Sequence, residues 1–256
     1  MKKKRFSNPP LVEAIFELRW KLKEVGSGIK VDPHYKLLIG SLFSKLKEKY
    51  PFHEPLPAST MPDEISCYVI QHRFRTGKEQ WPLVQIGPGI VTLNATNEYG
   101  WIDFRDRVFD LLKNLFDIYP DKESFSVNNI LMRYINAIEF DYISNSIFNF
   151  LSKKMKIDMF INKSLFKNEN INKQPSSFDL KYVFEVSKPI GNIHLRLARG
   201  KKDDINGLIF EFFFQTQNKY VPNRTGEILD WVSQSHDLIE DWFLKLTKGD
   251  LKRSFK

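Results

Sequence analysis

Two prolines ahead of an apolar run constrain this chain most. Asn8-Pro9-Pro10 leads into Leu11-Val12-Glu13-Ala14-Ile15-Phe16-Glu17-Leu18-Arg19-Trp20. Proline cannot donate to a ladder, so it is tolerated where a strand begins, and the alternating apolar and β-branched run behind it fits a half-buried strand. A second segment, Ile130-Leu131-Met132-Arg133-Tyr134-Ile135-Asn136-Ala137-Ile138-Glu139-Phe140, reads the same way and opens a second half. The first prediction is therefore a fold unit used twice.

Between these landmarks the chain alternates strand and helix signals. Asp32-Pro33 is a helix start, an N-cap acceptor followed by a residue with no amide to satisfy. Tyr35, Leu38, Ile39, Leu42, Phe43 and Leu46 then recur at helical spacing. Pro51, Pro55, Pro57 and Pro62 mark a loop. Ile65 to Arg75, Trp81 to Ile86 and Ile90 to Ala95 read as a three-stranded meander, with Arg73 and Arg75 on one side and Phe74 on the other. Asp103 is placed as the cap of a helix carrying Val108, Leu111, Leu112, Leu115 and Phe116. In the second half a helix is expected over 145–159, then a polar, mobile loop over 162–177. Strands follow at 180–187, 192–198 and 208–215, and a closing helix at about 225–247. Phe213 breaks the alternation of Phe210, Phe212 and Phe214, which predicts a strand covered on both faces.

The halves, 1–125 and 126–256, align with Glu17-Leu18 on Glu139-Phe140 and Asp110-Leu111-Leu112 on Asp237-Leu238-Ile239, which sets His236 against Phe109. The expected class is α+β, two pseudo-duplicated β-α-β-β-β-α units with a mainly antiparallel sheet and helices packed on it, one integrated globule. By element order this resembles the TATA-box-binding protein. Asn8-Pro9-Pro10-Leu11-Val12-Glu13, Arg133-Tyr134-Ile135-Asn136 and His236-x-x-Ile239-x-x-x-Phe243 also resemble the landmarks of a sporadically distributed, uncharacterised prokaryotic family of about this length. That resemblance implies no activity, cofactor or catalytic residue. Its patchy distribution fits antiviral defence, with the chain as an accessory subunit beside a short Argonaute-type effector.

The residues carry no catalytic or metal-binding motif. His34, His53, His72, His194 and His236 show no HExxH spacing, and the single cysteine, Cys67, allows no internal disulfide and no thiolate cage. Cys67, beside Tyr68 in an expected strand, reads as a small core residue. Neither a dinucleotide fingerprint nor a P-loop occurs, and Gly87-Pro88-Gly89 reads as a hairpin turn. Glu13 and Glu17 are expected to pair with Arg19 at the surface rather than to perform acid–base chemistry. His236 is expected to be a partly buried ring bonded to a neighbouring strand. No enzyme activity, cofactor or metal is expected.

Charge points to partners instead. The formal net charge is +8 with a pI near 9.3, which favours polyanions. Arg73, Arg75 and Lys78 cluster at one hairpin, and His194, Arg196, Arg199, Lys201 and Lys202 at the corresponding hairpin of the second half. Either these clusters flank one sheet surface and neutralise phosphates, with Phe74 and Tyr68 as stacking aromatics, or they are solvated strand ends. Lys245, Lys248, Lys252, Arg253 and Lys256 form either a flexible basic arm or a solubilising end. The expected function is a non-enzymatic module binding nucleic acid or a nucleic-acid-handling protein; the alternative is a protein-interaction subunit without nucleic-acid contact. The basic start, Met1 to Arg5, lacks an apolar continuation, and no run approaches the ~20 apolar residues of a membrane helix. A cytoplasmic location without membrane contact is expected.

Overall fold

A computed structural model describes residues 6–26, 28–96, 98–168, 170–202 and 204–256, with the Lys202 side chain outside the described set. The elements are β1 (Leu11–Trp20), β2 (Lys23–Glu24), β3 (Lys30–Val31), α1 (Tyr35–Leu46), β4 (Phe52–Pro55), β5 (His72–Arg75), β6 (Leu83–Gly87), β7 (Ile90–Ala95) and α2 (Trp101–Ile118). There follow β8 (Val127–Glu139), α3 (Ile147–Met155), β9 (Asp179–Ser187), β10 (Ile190–Lys202), β11 (Ile205–Gln217), α4 (Thr225–Leu246) and α5 (Asp250–Ser254). Nine strands form one sheet in the order β4-β5-β6-β7-β1-β8-β11-β10-β9, each neighbouring pair antiparallel. The molecule is α+β, as the residue patterns predict. No described helix is long and apolar enough to cross a membrane.

Alternation decides which face is covered. In β1, Ala14, Phe16, Leu18 and Trp20 are fully buried, whereas Glu13, Ile15, Glu17 and Arg19 on the other side are partly exposed. The registers carry that parity across the sheet: Phe16 lies opposite Leu93 and Met132, Met132 opposite Phe214, and Phe214 opposite Ile193. Onto this apolar face pack Leu38 and Leu42 of α1, Val108 and Leu112 of α2, and Ile228 and Val232 of α4, in one core. Each such large side chain contributes roughly 1.5–3 kcal/mol on leaving water. Glu13, Ile15, Glu17 and Arg19 of β1 lie on the opposite face, called here the open face of the sheet, with Tyr68 of the 66–70 segment against Arg19.

Several predicted details are corrected. Asp32 does not cap α1 at Pro33; the helix starts at Tyr35. The carboxylate, 8% exposed, accepts instead from Trp20 Nε1 (2.9 Å), His34 N (3.0 Å), Gly89 N (3.2 Å) and Tyr119 Oη (3.4 Å). It ties together the end of β1, the entry to α1, the β6–β7 turn and the end of α2. Asp103 lies within the first turn of α2 and pairs with Arg107 (2.6 Å), while Gly100 occupies the cap position. The proline-rich passage contains the edge strand β4, where a missing donor costs little.

The strand expected from Ile65 begins only at His72, because Tyr68 takes a left-handed conformation at φ 61° and the chain turns there; Cys67 sits in that turn, half-buried. The helix expected over 145–159 is shorter, capped by Ser146 and ended by left-handed Lys156. Among its described residues, the 162–177 loop holds one short 3-10 turn, Lys163–Phe166. The basic end is no free arm: Leu251 and Phe255 are buried, and Asn8 N donates to Phe255 O (3.0 Å). Within the proposed repeat alignment, Glu17 sits mid-strand opposite Thr92 and Leu131, whereas Glu139 is the last residue of β8. Phe109 is 41% exposed where His236 is 7% exposed, so those two positions are not equivalent environments.

Candidate docking face on the open side of the sheet

Two side-chain ladders cross the open face. On the first half Arg73 Nε donates to Gln85 Oε1 (2.9 Å), Gln85 Nε2 to Asn94 Oδ1 (3.2 Å), and Asn94 Nδ2 to Glu13 Oε1 (2.7 Å). These residues occupy β5, β6, β7 and β1 in turn. On the second half Arg133 of β8 and Arg196 of β10 both grip Glu211 of β11; Arg133 Nε donates at 3.0 Å and Arg196 Nη1 at 3.0 Å. Arg196 also makes a two-point contact with Asp179 of β9 at 2.8 and 2.6 Å. Arg196 and its neighbours hold the Asp179 carboxyl below the usual carboxylate range. Between the ladders Arg19 Nε lies 2.7 Å from Glu17 Oε1, the surface pair expected from sequence, while Glu13 is taken by Asn94. Ile15, Leu131 and Ile135 are interleaved among these charges, each partly exposed.

The predicted basic residues divide across this architecture. Arg73 lies on the open face with Nη1 3.7 Å from Glu54. Arg75 is 8% exposed; it donates to Glu54 Oε2 (2.5 Å) and Gln80 O (3.3 Å) and lies over the Trp81 ring. Lys78 is exposed in the β5–β6 turn, and Lys201 is exposed near the end of β10. Arg199 points to the helix side, over the Tyr142 ring at 4.2 Å and donating to Pro175 O (3.2 Å). Lys202 ends β10, and its side chain lies outside the described residues. β5 and β10 are the second and eighth strands of the sheet. At ~4.8 Å per strand the two clusters are roughly 29 Å apart. Phe74 is fully buried on the helix side and is no stacking platform; Tyr68 is held by Trp20 O (3.2 Å) and lies under Arg19.

What sequence reasoning missed is the set of counter-charges. Glu211, 4% exposed, and Glu54 neutralise the arginines that composition singled out. The signal was present in β11, where Glu211, Phe213 and Gln215 alternate against Phe210, Phe212 and Phe214. Phe213 does not mark a second covering layer. It stacks under His194 with ring centroids 3.8 Å apart and planes at 15°.

Neither His194 nitrogen has a hydrogen-bond partner among the described residues, and burial, assisted by the Lys181 charge, pushes its pKa down to about 4. The unfolded chain, with an imidazole pKa near ~6.5, takes up the proton first, so stability is fully present above ~6.5 and is lost as pH falls toward ~4. Urea titrations at several pH values should show wild type losing roughly 2 kcal/mol more than His194→Phe between about pH 7 and about pH 4.5. Parallel curves for the two proteins would contradict this assignment.

His236 is buried, stacks on Trp101 (3.7 Å) and bonds through Nδ1 to Tyr134 Oη (2.8 Å) on β8, as expected of a ring tied to a neighbouring strand. Tyr134 in turn meets Tyr99 Oη (2.9 Å), and burial drives both phenol pKa values up, so both stay protonated. His236, Asp237 and Glu240 bring ligand-type atoms within 4.8 Å of one another, a grouping that acid-rich helices often show without a cation. A cavity of about 70 Å³ between α1 and α2 is lined by Lys49, Tyr50, Arg107 and Asp110. It is well below the roughly 300 Å³ of small-molecule sites. Compared with known proteins, the chain matches no family model and no curated sequence.

Proposed function

We propose that this protein is a non-enzymatic binding module whose open sheet face docks a partner protein. The observation that carries this reading is the pre-pairing of charge. Arg19, Arg75, Arg133 and Arg196 are each already held by an acidic side chain of the same face. Phosphate binding draws its energy from cations that release counterions, and arginines spent on internal carboxylates contribute little to that. A face of balanced charge with interleaved aliphatic residues suits a protein surface instead.

The outward strand order from the centre supports a second element of the proposal: β1, β7, β6, β5 on one side matches β8, β11, β10, β9 on the other. On that reading 1–125 and 126–256 are one unit used twice, similar in layout to the TATA-box-binding protein, with the open face as the shared platform.

A photo-crosslinking residue at Leu131, in the middle of the face, should yield a discrete protein adduct in cells, and one at Phe109 on α2 should not. Ile15→Arg should remove the adduct. Equal adducts from both positions, or a nucleic-acid adduct alone, would overturn the reading.

Direct nucleic-acid binding is the second reading, favoured by Lys78 and Lys201, which are exposed and in no ion pair among the described residues. It requires that Lys78→Glu with Lys201→Glu flatten the salt dependence of binding to a single-stranded oligonucleotide.

A further inference from the structure

The two edges of the sheet are built differently. β4 is four residues long, follows Pro51 and ends in Pro55, so it offers little to an incoming strand. β9 runs nine residues from Asp179 to Ser187 without a proline. Among the described residues its only ladder is with β10, and no backbone bond to a loop, cap or turn uses its outer edge. Tyr182, Val183 and Phe184 in its middle are 39%, 50% and 47% exposed. A long, apolar, uncovered edge is a template for strand addition.

We infer that the strand added there is β9 of a second copy, antiparallel and related by a two-fold axis through Val183. In that register the strand is complementary to itself. Lys181 lies opposite the partner's Glu185, Tyr182 opposite the partner's Phe184, Leu180 opposite the partner's Val186, and Val183 opposite the partner's Val183. The two-fold repeats each unlike pair, so the interface carries two cross-strand ion pairs and two aromatic pairs. Sliding the axis to Tyr182 sets Asp179 against the partner's Glu185, two like charges. Sliding it to Phe184 puts Lys181 against the partner's Ser187 and loses both ion pairs.

Odd-numbered residues of β9 face the open side and even-numbered ones the helix side, since Tyr182 lies opposite Leu195 and Lys181 opposite Arg196. With the axis on a residue, that parity matches in both copies. The two sheets become one continuous sheet, with both sets of helices on the same face.

Sedimentation equilibrium over a wide concentration range tests this. Wild type should dimerise, and Lys181→Glu and Glu185→Lys should each weaken the dimer by about tenfold or more, since each creates two like-charge pairs. Both side chains are exposed, so circular dichroism should show the variants folded. Mixing the two single variants should give a one-to-one heterodimer, and Lys181→Glu combined with Glu185→Lys should restore the homodimer. A wild type that stays monomeric throughout, leaving the edge to a strand of another protein, would overturn the inference. So would single variants that dimerise as tightly as wild type, or a mixture that does not rescue them.

Discussion

Replacing Asp32 with alanine is expected to remove about 4 kcal/mol of folding stability, a large part of the roughly 5–15 kcal/mol that folded domains have. The carboxylate serves four donors, and three of them cannot turn to water. Trp20 is fully buried, Tyr119 is 5% exposed, and Gly89 N is fixed in the β6–β7 turn. Each buried donor left without an acceptor costs about 1–3 kcal/mol. Alanine recovers the cost of desolvating an unpaired carboxylate, but that recovery offsets only part of three orphaned donors.

Burial, then the Asp32 charge, push the Tyr119 phenol above its usual range, so its hydroxyl remains a donor throughout the accessible pH range. Asp32→Asn keeps one acceptor oxygen and should cost about half as much. Urea unfolding followed by circular dichroism measures both. A loss below about 1 kcal/mol for alanine would mean the four bonds are not made together.

Asp32 also illustrates how far the sequence carries. The Asp-Pro pair points to a helix start that lies two residues further on, and the local bond the Asp32 carboxylate makes is from the His34 amide to Oδ1. Its other partners stand 12, 57 and 87 residues away, and no local pattern encodes them. The same distinction runs through the molecule. Period-two alternation made β1, β8 and β11 legible, and the apolar stripe made α4 legible, since burial of one face imposes a period on adjacent residues. The open face resisted because its partners come from different strands: Glu211 is 78 residues from Arg133 and 15 from Arg196. Clusters of basic residues could be counted along the chain. Whether each already had a carboxylate depended on register. β4 was hidden by its prolines, which signal loop and edge strand alike.

Gly87→Ala is expected to destabilise the protein by about 3 kcal/mol or more, although it adds a single methyl group. A Cβ at Gly87 would stand 1.9 Å from Val69 O, 2.7 Å from Val69 C and 3.1 Å from Ile70 Cα, all backbone atoms of the segment that crosses the end of β6. No rotamer relieves such a clash; the crossing segment itself must lift. That segment is held by Tyr68 N to Pro88 O (2.8 Å), Gln71 N to Ile86 O (3.0 Å) and Tyr68 Oη to Trp20 O (3.2 Å). Lifting it therefore strips bonds from the same turn that Asp32 anchors, so the two substitutions should not be additive. Gly40→Ala, at an exposed position of α1, is the matched control, with nothing within 4 Å of its Cβ. It should stabilise by about 0.5–1 kcal/mol through helix propensity alone. If both alanine variants melt alike in urea, the 66–70 segment does not sit against β6, and the open face is longer at that corner than the geometry implies.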